Sequence, residues 1–320
     1  MKLREYLSPT QISKWKENQE MYYMKYLSDV KLPREKQTLP MSVGSAFDAY
    51  IKSDLYHRLV GKGDPKYSFE GLFDLQVEEH NRDFARKAGK ICYDQYVSTG
   101  ALADLLIEMQ GSLGEPKFEI EVRGTISHGG REVVLLGKPD VFFINKQGGH
   151  VALDFKVNGY CSKSPVSPMK GYLRLHPGCL RHKDCVPSER FGFKLNVNHK
   201  LEDLNADWAA QLSTYAWLCG CDIGTDWVAA IDQIACAPPK KNDFVQDSPN
   251  IRVAQHRLLV TPQFQFQFFS DACDLWDITR SDHVFRHMSR EDSLARCQVL
   301  DMMVEDMVKN GNIMDQLRGE

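Results

Sequence analysis

Long apolar runs are absent from the sequence, and so is an apolar leader at its start. No stretch of about 18 uncharged apolar residues, the length that a membrane-spanning helix needs, occurs in it. The opening residues, MKLREYLSPTQISKW, contain no apolar core of the kind found in secretory signals. We therefore expect a cytoplasmic protein with no membrane partner, whose nine cysteines are reduced thiols rather than a disulfide framework.

A surplus of positive charge is also absent. Lysine and arginine number 40 against 43 aspartates and glutamates, so the net charge is −3. Histone-like proteins and ribosomal tails are thereby excluded, because their affinity comes from bulk positive charge, but a local basic groove is not. The motifs GxxxxGK[ST], GxSxG and HExxH do not occur, and the first of these absences argues against a built-in nucleotide-hydrolysing motor.

The order of the predicted elements favours an α+β fold with α/β/α layers rather than a doubly wound fold. We expect one domain over residues 1–320, with helical parts at 1–112 and 262–320 and a core at 117–237. Alternating polar and apolar residues with short connections predict a four-stranded antiparallel meander within 117–157. The other predicted elements are helices over 8–27, from about Gly44, within 70–110 and over 206–220, a loop over 31–43, and strands over 226–237 and 251–261.

The segment GKPDVFFINKQGGHVALDFK carries the strongest chemical signal. Asp154 and Lys156 share a face, because side chains two residues apart on a strand point the same way. Pairing across the NKQGG turn brings Asp140 beside them, and Glu119 or Glu121 can add a third carboxylate. Clustered carboxylates repel unless a divalent cation lies between them, and a nearby lysine can orient a water. The cluster suits metal-assisted phosphodiester hydrolysis, although a bare D…DxK pattern also occurs by chance.

These motifs together resemble the PD-(D/E)xK nuclease superfamily, and in particular its RecB-like exonuclease branch. LSPTQISKW resembles the first helix of that branch and VGSAFDAYI its second. The G-x-P-D and D-F-K motifs match the core in order and spacing, and Gln211-x-x-x-Tyr215 matches the Q-x-x-x-Y motif. The resemblance covers about residues 6–237 with gaps, and it implies a mixed central sheet of the restriction-endonuclease-like fold, flanked by helices.

The resemblance also implies a role for each matched residue. The implied ligands of Mg²⁺ or Mn²⁺ are Asp140, Asp154, the backbone carbonyl of Phe155 and Glu121, with Glu119 as the alternative to Glu121. Lys156 would position or activate the attacking water. Gln211 and Tyr215 would contact the substrate strand or tune the catalytic residues, and their plain alternative is the face of an amphipathic helix.

The sequence departs from this family in three places. Asp48 stands where the second helix usually carries His, so it can bind a metal but cannot act as a neutral imidazole ligand. Asp154 replaces the commoner Glu, which shortens the reach by one methylene. Many members hold an iron–sulfur cluster through a cysteine of the first helix and three near the C-terminus. Here the first position falls near Asn18 and only Cys273 and Cys297 occur toward the C-terminus, so we expect no such cluster.

A basic insertion is predicted over residues 158–205. Residues 158–200 contain eight basic and two acidic residues, a local charge of +6, with aromatic residues interleaved. A single-strand path needs cations for phosphates and rings for base stacking, whereas the plain alternative is a solvated surface loop. The candidate nucleic-acid-binding residues are Lys163, Lys170, Arg174, Arg181 and Lys183.

The same insertion contains four evenly spaced candidate zinc ligands, His176, Cys179, His182 and Cys185. Four nitrogen and sulfur ligands could hold a tetrahedral Zn²⁺. Coincidence is favoured, because closely spaced single ligands are a weaker signal than paired CxxC units.

The sequence supports hypotheses from different functional classes. The first is a Mg²⁺- or Mn²⁺-dependent DNA exonuclease that acts in recombination, repair or phage DNA processing, on single strands or duplex ends. The alternatives are a catalytically inactive nucleic-acid-binding protein that retains the fold, and a structure-specific endonuclease. The resemblance leaves open a phage-encoded protein in a bacterial cytoplasm and a single-strand annealing protein or helicase as a further partner. The sequence does not specify the polarity of digestion or whether the substrate is DNA or RNA.

Overall fold

The structure is a computed structural model of the 320-residue chain. The described residues are 3–28, 35–61, 64–118, 121–162, 186–188, 193–237, 249–281, 283, 298 and 302, with backbone alone for 186–188 and 193–194. Several predicted site residues therefore lie outside the described residues. They are Glu119, the insertion residues Lys163, Lys170, Arg174, Arg181 and Lys183, and the candidate zinc ligands His176, Cys179, His182 and Cys185.

The helices and strands follow the chain in nearly the predicted order. The helices are α1 (Pro9–Glu17), α2 (Gln19–Tyr22) with a π-helical turn (Tyr23–Leu27), α3 (Leu39–Leu59), α4 (Phe69–Gln76), α5 (Arg82–Ser98), α6 (Ala101–Met109), α7 (Leu201–Leu204), α8 (Ala206–Leu218) and α9 (Pro262–Ile278). The strands are β1 (Lys117–Phe118), β2 (Val122–His128), β3 (Arg131–Gly137), β4 (Val141–Ile144), β5 (His150–Asn158), β6 (Val186–Ser188), β7 (Phe193–Leu195), β8 (Val228–Ala237) and β9 (Asn250–Leu258).

Capping residues explain where two of these helices begin. Ser8 caps α1 and Pro9 occupies its first turn, as expected. Thr38 caps α3 and Pro40 lies in its first turn, where a missing N–H costs little. Helix α3 therefore begins ahead of Gly44, and the predicted loop over 31–43 extends too far.

The central sheet has the order β1-β4-β5-β8-β9. Strands β5 and β8 run parallel, while the other neighbours are antiparallel, so the sheet is mixed. Strands β2 and β3 leave this sheet and pair with each other, and β6 pairs with β7. The predicted four-stranded meander was therefore wrong, because alternation marks a strand without specifying its partner.

Helices cover both faces of the central sheet, which gives the α+β fold with α/β/α layers. Leu153 and Phe155 of β5 pack into an apolar cluster with α3 and α5. Ala152 packs on the opposite face, in a cluster with α8. Because side chains alternate along a strand, Asp154 and Lys156 continue the Ala152 side and face α8.

The β2–β3 hairpin belongs to a further apolar layer with α1, α9 and the outer side of α8. Leu7 extends this hairpin: its N–H donates to the Val134 carbonyl at 2.9 Å and its carbonyl accepts from Leu136 at 2.8 Å. Trp217 of α8 stacks on Phe268 of α9. Helix α8 is therefore buried on two sides, which fixes the orientation of its polar residues. Within the described residues, no helix combines the length and apolarity needed to cross a membrane.

Candidate functional site

Asp140 and Asp154 lie at the open end of the β4–β5 hairpin, away from the turn that joins the two strands. Asp140 directly precedes β4, whose first residue, Val141, pairs with Leu153 of β5. Asp154 is the next residue on β5 and is buried. The backbone N–H of Phe155 donates to Asp140 Oδ2 at 2.9 Å, which ties the loop carboxylate to the strand. The carboxyl groups of Asp140 and Asp154 are neighbours, and each affects the pKa of the other.

The surroundings of the two aspartates shift their pKa values in opposite directions. Burial raises the pKa of Asp154 to about 7, and the neighbouring Asp140 adds to this effect while Lys156 opposes it. Burial acts on Asp140 in the same direction, but the ammonium of Lys52 and further hydrogen bonds outweigh it, so the pKa of Asp140 is lowered. The two carboxylates repel each other when both are ionised. A divalent cation between them would offset this repulsion and favour the ionised form of both groups.

A hydrogen-bonded chain joins this pair to α8. Lys156 forms an ion pair with Asp154 and donates to Gln211 Oε1 at 3.1 Å. Gln211 Nε2 in turn donates to Tyr215 Oη at 2.7 Å, one helical turn away. Burial raises the pKa of Tyr215, which keeps the phenol neutral. The structure thus brings Asp154, Lys156, Gln211 and Tyr215 together with Asp140.

A glycine gives the Tyr215 ring its place. A Cβ atom at Gly137 would lie 2.7 Å from Tyr215 Cδ1. Gly137 ends β3, immediately before the segment that leads to Asp140. The close approach of β3 and α8 at this point therefore depends on the missing side chain.

A cleft of about 370 Å³ opens beside Gln211 and Tyr215. Its walls are the start of α1, the end of β3 and the first turns of α8. Its polar lining includes Ser8, Thr10, Ser13, Lys138 and Asp207. Lys156 Nζ lies 5.4 Å from the centre of the Trp208 ring, which forms part of the wall. The catalytic candidates are therefore next to a space large enough for part of a ligand.

Helix α3 adds a lysine that no sequence motif marked as a site residue. Lys52 is 1% exposed, and its Nζ lies 2.6 Å from Asp48 Oδ2 and 2.9 Å from Asp140 Oδ1. The signal that could have identified it is its spacing, because Lys52 follows Asp48 by about one helical turn within AFDAYIKSDL. Its partner Asp140 could not be inferred, because the two residues are 88 positions apart.

Glu121 is not brought into this cluster. It is exposed and directly precedes β2, which pairs with β3 rather than with β4. No hydrogen bond or ion pair joins Glu121 to another described residue. Among the described residues there is also no group of three or more His, Cys, Asp or Glu side chains that could hold a metal ion. Glu121 therefore adds no third carboxylate to the Asp140–Asp154 pair.

Comparisons with known proteins give no family for this chain. No family model matches it, and no curated protein does. A solved structure titled "Crystal structure of SSO0001" is 13% identical and covers 83% of this chain and 84% of its own, with a TM-score of 0.26. That score carries no argument about fold or function, so the site is interpreted from its own chemistry.

The donor atoms present fit a hard divalent cation. Asp140 and Asp154 offer carboxylate oxygens, the ligands that Mg²⁺ and Mn²⁺ prefer, and Mg²⁺ often takes one or two carboxylates. The N–H of Phe155 points to the β4 side of β5. Because the N–H and carbonyl of a strand residue point to the same side, its carbonyl lies there too, beyond the last β4 pair at Leu153. These three residues would hold the metal.

Proposed function

We propose that this protein is a Mg²⁺- or Mn²⁺-dependent nuclease that hydrolyses phosphodiester bonds in DNA. The observation that carries the proposal is the convergence of Asp140, Asp154 and Lys156 in one cluster, joined to Gln211 and Tyr215. Two adjacent carboxylates with an ammonium bonded to one of them are the parts that metal-assisted phosphodiester hydrolysis needs. A bound cation would neutralise charge on the scissile phosphate.

The protein side chains supply orientation in this proposal. Asp140 is fixed by the Phe155 N–H before any ligand arrives, which avoids reorganisation during reaction. Lys156 is 20% exposed and reaches from Asp154 toward the cleft, where it can orient a water against phosphorus. Gln211 holds the ammonium of Lys156 on the cleft side.

The charge of a neighbouring segment supports a DNA strand as the substrate. The cleft beside the cluster, with a volume of about 370 Å³, has room for part of a ligand of any class. The segment 158–200, with its charge of +6, begins at the end of β5, the strand that carries Lys156. The resemblance of the motifs favours an exonuclease within this class.

A cleavage assay tests the proposal. End-labelled linear single- and double-stranded DNA and circular DNA are incubated with Mg²⁺ or Mn²⁺. We expect degradation of linear DNA only, abolished by EDTA and reduced at least about 100-fold in Lys156→Ala. Lys146→Ala is the matched control, because Lys146 is exposed in the turn at the other end of the same hairpin. Cleavage of circles would indicate an endonuclease instead.

A catalytically inactive nucleic-acid-binding protein is the second candidate. The observation that favours it is Lys52, whose ammonium already bridges two carboxylates of the cluster. Retained DNA binding with no cleavage of any substrate, in either metal, would favour this candidate over the nuclease.

A further inference from the structure

The ammonium of Lys52 occupies a position between two carboxylates. Its Nζ lies 2.6 Å from Asp48 Oδ2 and 2.9 Å from Asp140 Oδ1, and the side chain is 1% exposed. A buried ammonium is costly unless it is paired, and these two carboxylates supply the pairing. A metal ion that bridged the same two oxygens would have to displace the Lys52 ammonium.

We propose that Lys52 is a built-in cation of the site, so that the Asp140–Asp154 pair takes one divalent metal ion and Asp48 serves as the counter-ion of Lys52. Lys52 is a positioning residue in this arrangement, because it acts on Asp140 and not on the substrate. Asp48 precedes Lys52 by four residues on α3, the spacing and order that favour an ion pair on one helix face. The inference rests on the metal site of the proposed function.

The number of bound ions tests this assignment without reference to activity. Mn²⁺ alone is titrated into the full chain by isothermal titration calorimetry, and circular dichroism checks the fold of each variant. We expect one Mn²⁺ per wild-type chain and two per chain in Lys52→Met, which keeps the apolar stem but leaves Asp48 and Asp140 facing each other. In the double variant Asp48→Asn/Lys52→Met, the number should return to one.

Asp48→Asn provides a separate test if Lys52→Met does not fold. A counter-ion of Lys52 is not a ligand, so Asp48→Asn should still bind one Mn²⁺ per chain. Loss of the bound Mn²⁺ in Asp48→Asn would identify Asp48 as a metal ligand and overturn the inference.

The possible results separate the inference from the nuclease proposal. Two Mn²⁺ ions in the wild-type chain, or one in Lys52→Met, would overturn the role of Lys52 and leave the nuclease proposal intact. One ion in the wild type and two in Lys52→Met, with no DNA cleavage, would support Lys52 as the built-in cation while the nuclease proposal fails. No Mn²⁺ binding to the wild type would overturn both.

Discussion

Asp154 is buried beside another carboxyl group, and both conditions disfavour its ionised form in the folded protein. Burial, reinforced by Asp140, raises its pKa to about 7, whereas an aspartate in an unfolded chain has a pKa of about 3.9. Between these values the folded protein holds a proton that the unfolded chain has lost. Stability contributed by this group is therefore present at acidic pH and is lost as pH rises toward 7.

The first prediction concerns this pH dependence in metal-free protein. With EDTA present, the free energy of unfolding should fall by about 2–4 kcal/mol between pH 4.5 and pH 7.5 through this one group. Asp154→Asn should remove that part of the slope, because an amide does not titrate. Urea denaturation at several pH values measures it. An unchanged slope in Asp154→Asn would show that Asp154 titrates normally in the folded protein.

At the scale of elements, the position of α3 over the site depends on its close packing with α5. A Cβ atom at Gly89 of α5 would lie 2.6 Å from Ala46 Cβ and 2.9 Å from the Phe47 backbone nitrogen, both on α3. Backbone atoms cannot move aside locally, so the two helices would have to separate. Helix α3 carries Lys52, and its distance from the sheet is thus linked to this glycine.

The second prediction compares two glycines in these helices. Gly89→Ala should lower the free energy of unfolding by about 1–3 kcal/mol, because it overpacks the α3–α5 contact. Gly44→Ala should raise it by about 0.5–1 kcal/mol, because Gly44 is inside α3 and an added methyl group would meet no atom within 4 Å. Thermal and urea denaturation measure both. A stabilising Gly89→Ala would contradict the close contact.

A buried network ties the helical layer to the sheet on the face opposite Lys156. Arg257 of β9 donates to Asp232 of β8 at 2.7 Å and pairs with Glu108 of α6 at 2.8 Å. Tyr96 of α5 also donates to Asp232, which is fully buried. The apolar pattern of the sequence marks β8 as a strand but assigns Asp232 no partner, because its partners lie on other elements.

The third prediction follows from this network. Arg257→Leu should cost about 3–5 kcal/mol of stability, because it leaves the buried Asp232 and the partly buried Glu108 without their cation. Tyr96→Phe should cost only about 1–3 kcal/mol, since Asp232 keeps Arg257 and a hydrogen bond from Gln255 at 2.9 Å. Urea denaturation ranks the two variants. Equal costs would mean that the ion pairs contribute no more than the Tyr96 hydrogen bond.

At the scale of the whole molecule, what the sequence predicts depends on distance along the chain. The shared face of Asp154 and Lys156 and the one-turn spacing of Gln211 and Tyr215 follow from local periodicity alone. Contacts between distant elements do not: neither the bond from Lys52 to Asp140 nor the separation of the β2–β3 hairpin from the central sheet has a local signal. The pairing choices of strands are decided by the complete core, which no single segment specifies.

Helix α8 joins two apolar layers and should make their unfolding cooperative. Trp217 and Ala210 contact the layer that contains α1, α9 and the β2–β3 hairpin, while Leu212 and Ala216 contact the central sheet. Leu7 is fully buried in the layer that contains α1, α9 and the β2–β3 hairpin. Loss of packing at Leu7 should therefore affect the whole fold and not the N-terminal segment alone.

The fourth prediction tests that coupling with Leu7→Ala. The substitution should cost about 2–5 kcal/mol, as is typical for a buried leucine, and should shift the urea midpoints of far-UV circular dichroism and tryptophan fluorescence equally. Leu75→Ala is the matched control, because Leu75 is 73% exposed on α4 and should change stability by less than about 0.5 kcal/mol. If the two midpoints separated, the layer that contains Leu7 would unfold independently of the central sheet. Coincident midpoints would instead mean that the start of α1, which lines the cleft, is held by the same cooperative unit as Asp140 and Asp154.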